Sequence, residues 1–180
     1  RFNNFKLAFI DGLITKQVSE IDGNLDGAIA ISGRLNNPVL KGRLNFSNAV
    51  FKINYLNTKY RITEDLVLDE GYFGLNRVPV IDEYGHIAWV TATALYDTGF
   101  TNWNYDVFCE LNDFYCLNTT ASNKQPYYGK GFATGTVNIE GYKQHVQLNI
   151  KAKSNKGSRV FIPLSGTEEV AEQKFVSFVS

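Results

Sequence analysis

The 180-residue chain has two cysteines, four prolines, no methionine and no excess of either charge, with 18 Lys and Arg against 18 Asp and Glu. Each shortage excludes a class of protein. Cys109 and Cys116 are too few for a disulfide framework, and no second Cys or His pair stands at zinc-ligand spacing. Balanced charge without blocks of one sign gives no reason to expect nucleic acid or an anionic membrane surface as the main partner. Hydrophobic residues make up 44% of the chain, yet polar ones split them, and no apolar run approaches the roughly 20 residues of a spanning helix. The missing Met and the missing basic-then-apolar leader are what a piece of a longer or processed protein would show. The length suits one domain with a buried core.

Catalytic signatures are equally scarce. There is no G-x-S-x-G elbow, P-loop or dinucleotide fingerprint. His86 and His145 are the only histidines, neither is followed at three or four residues by a His, Cys or carboxylate, and both are expected in strands. Cys109 is in phase with Tyr105, Val107 and Leu111, so it reads as an inert thiol facing apolar packing. Asp69-Glu70 and Asp82-Glu83 adjoin Gly or Tyr-Gly and read as solvated turn charges. No enzyme is expected, and no cofactor. Asp22-x-Asn24-x-Asp26-Gly27 matches the first half of a calcium loop, but position 12 of such a loop falls on Gly33, so the match is weak and no metal is expected.

What the chain does have is aromatic residues, 13 Phe and 10 Tyr, and apolar residues at every second position. That is the period of a strand with one buried face. It appears in Leu40, Gly42, Leu44, Phe46; in Phe51, Ile53, Tyr55; in Tyr105, Val107, Cys109, Leu111; in Val137, Ile139; and in Val146, Leu148, Ile150, Ala152. Turn signals at Asp22-Gly23, Asn36-Asn37-Pro38, Asp69-Glu70-Gly71, Tyr84-Gly85, Glu140-Gly141 and Asn155-Lys156-Gly157 leave no room for crossover helices, so sequential antiparallel pairing follows. Residues 112–130, aromatic and polar without period, read as a long structured loop. Ser165 and Glu168 resemble a capping box before Val170, Ala171, Phe175 and Phe178, which predicts a short helix or linker over 165–180. Glycines recur inside the alternating segments 22–33, 40–46 and 131–141, which favours a bent, curved sheet.

Two surface features have binding potential. Lys151, Lys153, Lys156 and Arg159 form a local basic patch that could meet lipid phosphates, but a solvated hairpin tip is the preferred reading of it. The aromatics from Trp103 to Tyr128 are the kind of cluster that is more often core, but they also suit the surface of a β-sandwich binding module for glycan or protein, the alternative to a transport role.

The run Gly33-Arg-Leu-Asn-Asn-Pro38-Val-Leu40-Lys-Gly42-Arg-Leu44-Asn-Phe46, with Leu56-Asn57-Thr58-Lys59-Tyr60, resembles the C-terminal conserved domain of the TamB family, the translocation and assembly module proteins. Leu117-Asn118-Thr119-Thr120, Tyr127-Tyr128-Gly129, Gly135-Thr-Val137-Asn-Ile139-Glu-Gly141 and Phe161-Ile162-Pro163-Leu164 follow in the same order. The resemblance implies an AsmA-like, bridge-like lipid transfer fold, an open U-shaped β-taco over residues 1–164. It also implies a periplasmic segment of an inner-membrane-anchored protein of a Gram-negative cell. The partners it implies are phospholipid, an outer-membrane barrel of the Omp85 type and the remainder of the same long chain. The work would be lipid passage between the membranes, outer-membrane protein assembly, or both. Phase alone then assigns Leu44, Phe46, Phe51, Ile53, Val137, Ile139, Leu148 and Ile150 to the lining of the hydrophobic groove.

Overall fold

Period-two alternation becomes strand throughout. The structure, a computed structural model, describes residues 1–10, 18–34, 37–96, 102–121, 127–142 and 145–162. These form one antiparallel sheet of eleven strands. They are β1 (Phe2–Lys6), β2 (Val18–Arg34), β3 (Asn37–Ile53), β4 (Thr58–Ile62), β5 (Asp65–Asp69), β6 (Tyr72–Asp82), β7 (Ile87–Tyr96), β8 (Trp103–Thr119), β9 (Tyr128–Tyr142), β10 (His145–Ser154) and β11 (Arg159–Phe161). A 3-10 turn, Leu7–Ile10, follows β1. β4 and β5 are two halves of one interrupted strand between β3 and β6. β10 and β11 likewise share β9 as partner. Every strand belongs to the one sheet, so two separately bonded sheets, as in a sandwich, are not the architecture.

Bulges interrupt the ladder along a line. Register shifts fall at Ser19/Asp22 in β2 and Leu75/Val78 in β6. Glu20, Asn48 and Arg77, at φ of 54°, 51° and 50°, take the left-handed conformation that lets one strand carry an extra residue. The Asn48 amide donates to Thr63 Oγ1, at the break between β4 and β5, so the irregularities of β2 to β6 align. Such bulges bend the strands that carry them. β8 then meets β4 although β6 and β7 stand between them: Asn118 N donates to Leu56 O at 2.8 Å and Tyr60 Oη to Tyr115 O at 3.0 Å.

The register also aligns one apolar face. Ile29, Gly42, Leu68, Phe73, Ala94, Tyr105, Gly141 and Val146 are successive cross-strand partners from β2 to β10. Gly141 sits directly under the Tyr105 ring, where a Cβ would meet ring carbons, so only glycine lets that ring lie flat on the next strand. Over the middle of β2 to β6 this face is buried, in a cluster that includes Leu25, Leu44, Ile62, Leu68 and Val80, whereas Ile31 near the end of β2 is exposed. Leu7 joins it from the 3-10 turn, and Phe114 from the far end of β8, where its ring stacks on Tyr60 at 5.0 Å.

Several expectations change. Residues 112–130 are not a loop throughout: β8 runs to Thr119 and β9 starts at Tyr128. Shifts after Leu111 and Tyr115, with Asp113 at φ 50°, erase the alternation while keeping the pairing. Asp22-Gly23 and Glu140-Gly141 lie inside β2 and β9 rather than in turns, because Gly23 and Gly141 sit under neighbouring strands, not at chain reversals. Asn155-Lys156-Gly157 is a crank between β10 and β11, not a free hairpin tip, since both strands pair with β9 and Asn155 Nδ2 donates to Asp113 Oδ1 and Thr134 Oγ1. The helix expected over 165–180 lies outside the described residues.

Candidate functional site

The eight residues assigned to a groove lining separate into two environments on the same face. Leu44 is buried at 7% exposure, and Phe46, Phe51 and Ile53 pack against the core cluster around it. Val137 and Ile139 are half-buried on β9, while Leu148 and Ile150 on β10 are 56% and 60% exposed. Register joins the two sets: Val78, Val90, Cys109, Val137 and Ile150 are successive partners, as are Leu75, Ala92, Val107, Ile139 and Leu148. The face is therefore sealed around the core cluster, half-covered across β7 to β9, and exposed at the β10 edge.

Cys109 lies in the first of these rows, between Val90 and Val137, and burial pushes its thiol above the ordinary range. Burial likewise raises Cys116, whose Sγ donates to Gly131 O at 3.6 Å. Both thiols are free, and protonated neutral thiols half-covered by apolar neighbours are poor nucleophiles.

Asp82 departs from the sequence reading most sharply. It is not a solvated turn charge: its side chain is fully buried. Oδ1 accepts from the amides of Tyr84 and His86 at 2.8 and 2.9 Å, and Oδ2 accepts from the Tyr115 amide at 2.7 Å. His86 Nδ1 stands 3.0 Å from Oδ2. One carboxylate thus closes the β6–β7 turn and fastens β8 across it, and donors on all sides replace the water it lost. His86 is accordingly in the turn and not in a strand, whereas His145 begins β10. Nothing in the string Asp-Glu-Tyr-Gly distinguishes this carboxylate from an ordinary turn charge.

The aromatics do not form one surface. Trp103 packs with Phe73 and Tyr96 at one end of the sheet, Phe114 with Tyr60, and Tyr128 with Phe161. Tyr115 and Phe132 group with Tyr84 around the Lys130 ammonium, which lies 4.5 Å from the Tyr84 ring centre. Burial pushes the Tyr115 phenol up to about 12. The cation that an aromatic cage would select is supplied by the chain itself.

Asp22, Asn24 and Asp26 lie along β2, not in a loop. Asp22 Oδ1 accepts from the Gly23 amide and Asp26 Oδ1 from the Asn4 amide, at 2.7 and 2.6 Å. Among the described residues no group of three or more His, Cys, Asp or Glu is placed to hold a metal.

One cleft, of about 680 Å³, lies near the free end of β7 to β10, with Thr93, Asp106, Glu140 and Gln147 as cross-strand neighbours on the polar face. Sequence reasoning missed it, since the polar phase of a strand carries no mark of concavity. The basic residues Lys151, Lys153, Lys156 and Arg159 are all exposed on the β10–β11 edge. No helix among the described residues is long and apolar enough to cross a membrane. No protein-family model, characterised protein or solved structure matches the chain.

Proposed function

We propose that the chain is a periplasmic segment of a TamB-like envelope-biogenesis protein, in which a curved apolar face guides phospholipid acyl chains between inner and outer membrane and supports outer-membrane protein assembly. The observation that carries this reading is the single apolar face running in register from β2 to β10, half-buried on β8 and β9 and exposed on β10. An ordinary soluble domain covers such a face, and an uncovered one marks a binding surface. The bulges of β2, β3 and β6 and the β8–β4 contact support the curvature a groove requires. Acyl chains would lie against Val107, Val137, Ile139, Leu148 and Ile150 with headgroups in water, and passage would need no cofactor and no catalytic residue. Nine ranks of strands at about 4.8 Å span roughly 40 Å, so this piece is one stretch of a conduit whose remainder lies in the same long chain and whose far end meets a barrel of the Omp85 type.

Native mass spectrometry with lipid extraction, on protein expressed in a Gram-negative periplasm, tests the reading. Phospholipid is expected to co-purify with the wild type and to be lost in Ile139→Asp. Leu148→Asp, at an exposed site where folding is not at stake, is expected to lose it as well. Lipid-free wild-type protein, or undiminished lipid in a folded Leu148→Asp, overturns it.

A further inference from the structure

We propose that the β10–β11 edge docks on the surface of an anionic phospholipid bilayer. Residues 145–162 carry Lys151, Lys153, Lys156 and Arg159 and no Asp or Glu, in a chain whose charges cancel overall. Five cations elsewhere are paired, Lys41 with Asp69, Arg43 with Asp65, Lys52 and Lys59 with Glu20, and Arg77 with Glu110, and Lys130 lies on the Tyr84 ring. The four edge cations make no ion pair among the described residues, and all four are exposed.

Apolar side chains interleave with them. Val146, Leu148, Ile150, Val160, Phe161 and Ile162 are between 45% and 71% exposed, a concentration unmatched elsewhere on the described surface. β10 pairs with β9 alone, so its outer backbone amides are also free of strand partners. A strand edge of this kind usually invites aggregation, and lysines are one device that prevents it. Here the lysines also specify the occupant. A nucleic acid would meet the cations but leave six apolar side chains in water, and a neutral lipid surface would take the apolar groups but leave the cations without purpose. The interface of an anionic bilayer satisfies all three features: headgroup phosphates meet the cations and edge amides, and the apolar side chains enter the acyl boundary. Lys151 and Lys153 alternate with Ile150 and Ala152, and their long stems reach headgroup level while the apolar phase is buried.

Leu148 and Ile150 serve the conduit reading as well, but the cations and Phe161 do not belong to the acyl-lined set, so variants at Lys151, Lys153 and Phe161 test this inference apart from that reading. Co-sedimentation of the full chain with vesicles tests it, comparing phosphatidylglycerol mixed into phosphatidylcholine against phosphatidylcholine alone. Binding is expected to the anionic vesicles only and to weaken as salt is raised. One cation near an anionic surface is worth roughly fivefold in partitioning, so Lys151→Gln/Lys153→Gln should weaken binding about 25-fold with unchanged circular dichroism. Phe161→Ser should weaken it at low and high salt alike. Lys41→Gln, on the opposite half of the sheet, should leave it unchanged. Equal binding to both vesicle types, no binding to either, or an unaltered Lys151→Gln/Lys153→Gln overturns the proposal. The second of these outcomes would assign the same edge to an acidic protein surface.

Discussion

The sheet carries the same alternation in β2–β6 and in β7–β10, yet Leu44 in the first region is 7% exposed and Leu148 in the second is 56% exposed. The two leucines differ in what lies over them. Around Leu44 the core cluster, with Leu7 and Phe114, closes on the apolar face, and it takes in Ala88 of β7; Leu148 lies on the edge strand, beyond that cluster. Burial in an all-β chain is thus set by bulges and flanking segments as much as by hydrophobic pattern, and a face can pass from core to surface without changing its sequence period.

The comparison can be broken most severely at the fastening between its halves. Asp82→Ala leaves the amides of Tyr84, His86 and Tyr115 without their acceptor and should cost about 4 kcal/mol, read as a fall in the urea midpoint. Leu44→Ala and Leu148→Ala sharpen it. The first creates a cavity and should cost about 3 kcal/mol, while the second, on an exposed edge, should cost less than about 0.5 kcal/mol by the same titration.

Thiol chemistry probes the half-covered strand β8 at lower cost to the fold. With burial holding Cys109 and Cys116 protonated, both should react with an aromatic disulfide reagent more slowly than a free cysteine at neutral pH, and at the ordinary rate once unfolded. The smallest effect belongs to the surface of the sealed half. Hydrogen bonds from Lys52 and Lys59 hold the Glu20 carboxyl down to about 2, from an ordinary value of 4.5. A carboxyl depressed on folding contributes stability above its unfolded pKa and loses it as pH falls through the folded one. The stability difference between wild type and Glu20→Gln should therefore be constant above about pH 4.5 and shrink between there and about pH 2; because the group is exposed, it should be small throughout. A difference that instead grew on acidification would refute the pairing.

Much of this was legible in the sequence, and the reasons for the exceptions are physical. Antiparallel all-β architecture followed from the period at Leu40–Phe46, Tyr105–Leu111 and Val146–Ala152, and each segment is a strand with those residues on one face. The far end of β8 was invisible because two bulges invert its phase, so that Phe114, Tyr115 and Leu117 are all buried without alternating. Asp82 was misread because a carboxylate before Tyr-Gly looks alike whether water or backbone amides surround it. Phase assigns the eight groove-lining candidates to one face but is blind to covering, and half of them lie in the core cluster or against it.

The measurement that tests the account most directly is thiol labelling of Leu44→Cys and Leu148→Cys, each in a Cys109→Ala, Cys116→Ala background, in native buffer. A face sealed over β3 and open at β10 predicts rapid labelling at 148 and labelling at 44 only at the rate of unfolding. Protection of both positions would mean that the second half of the face is also covered, and would contradict the account.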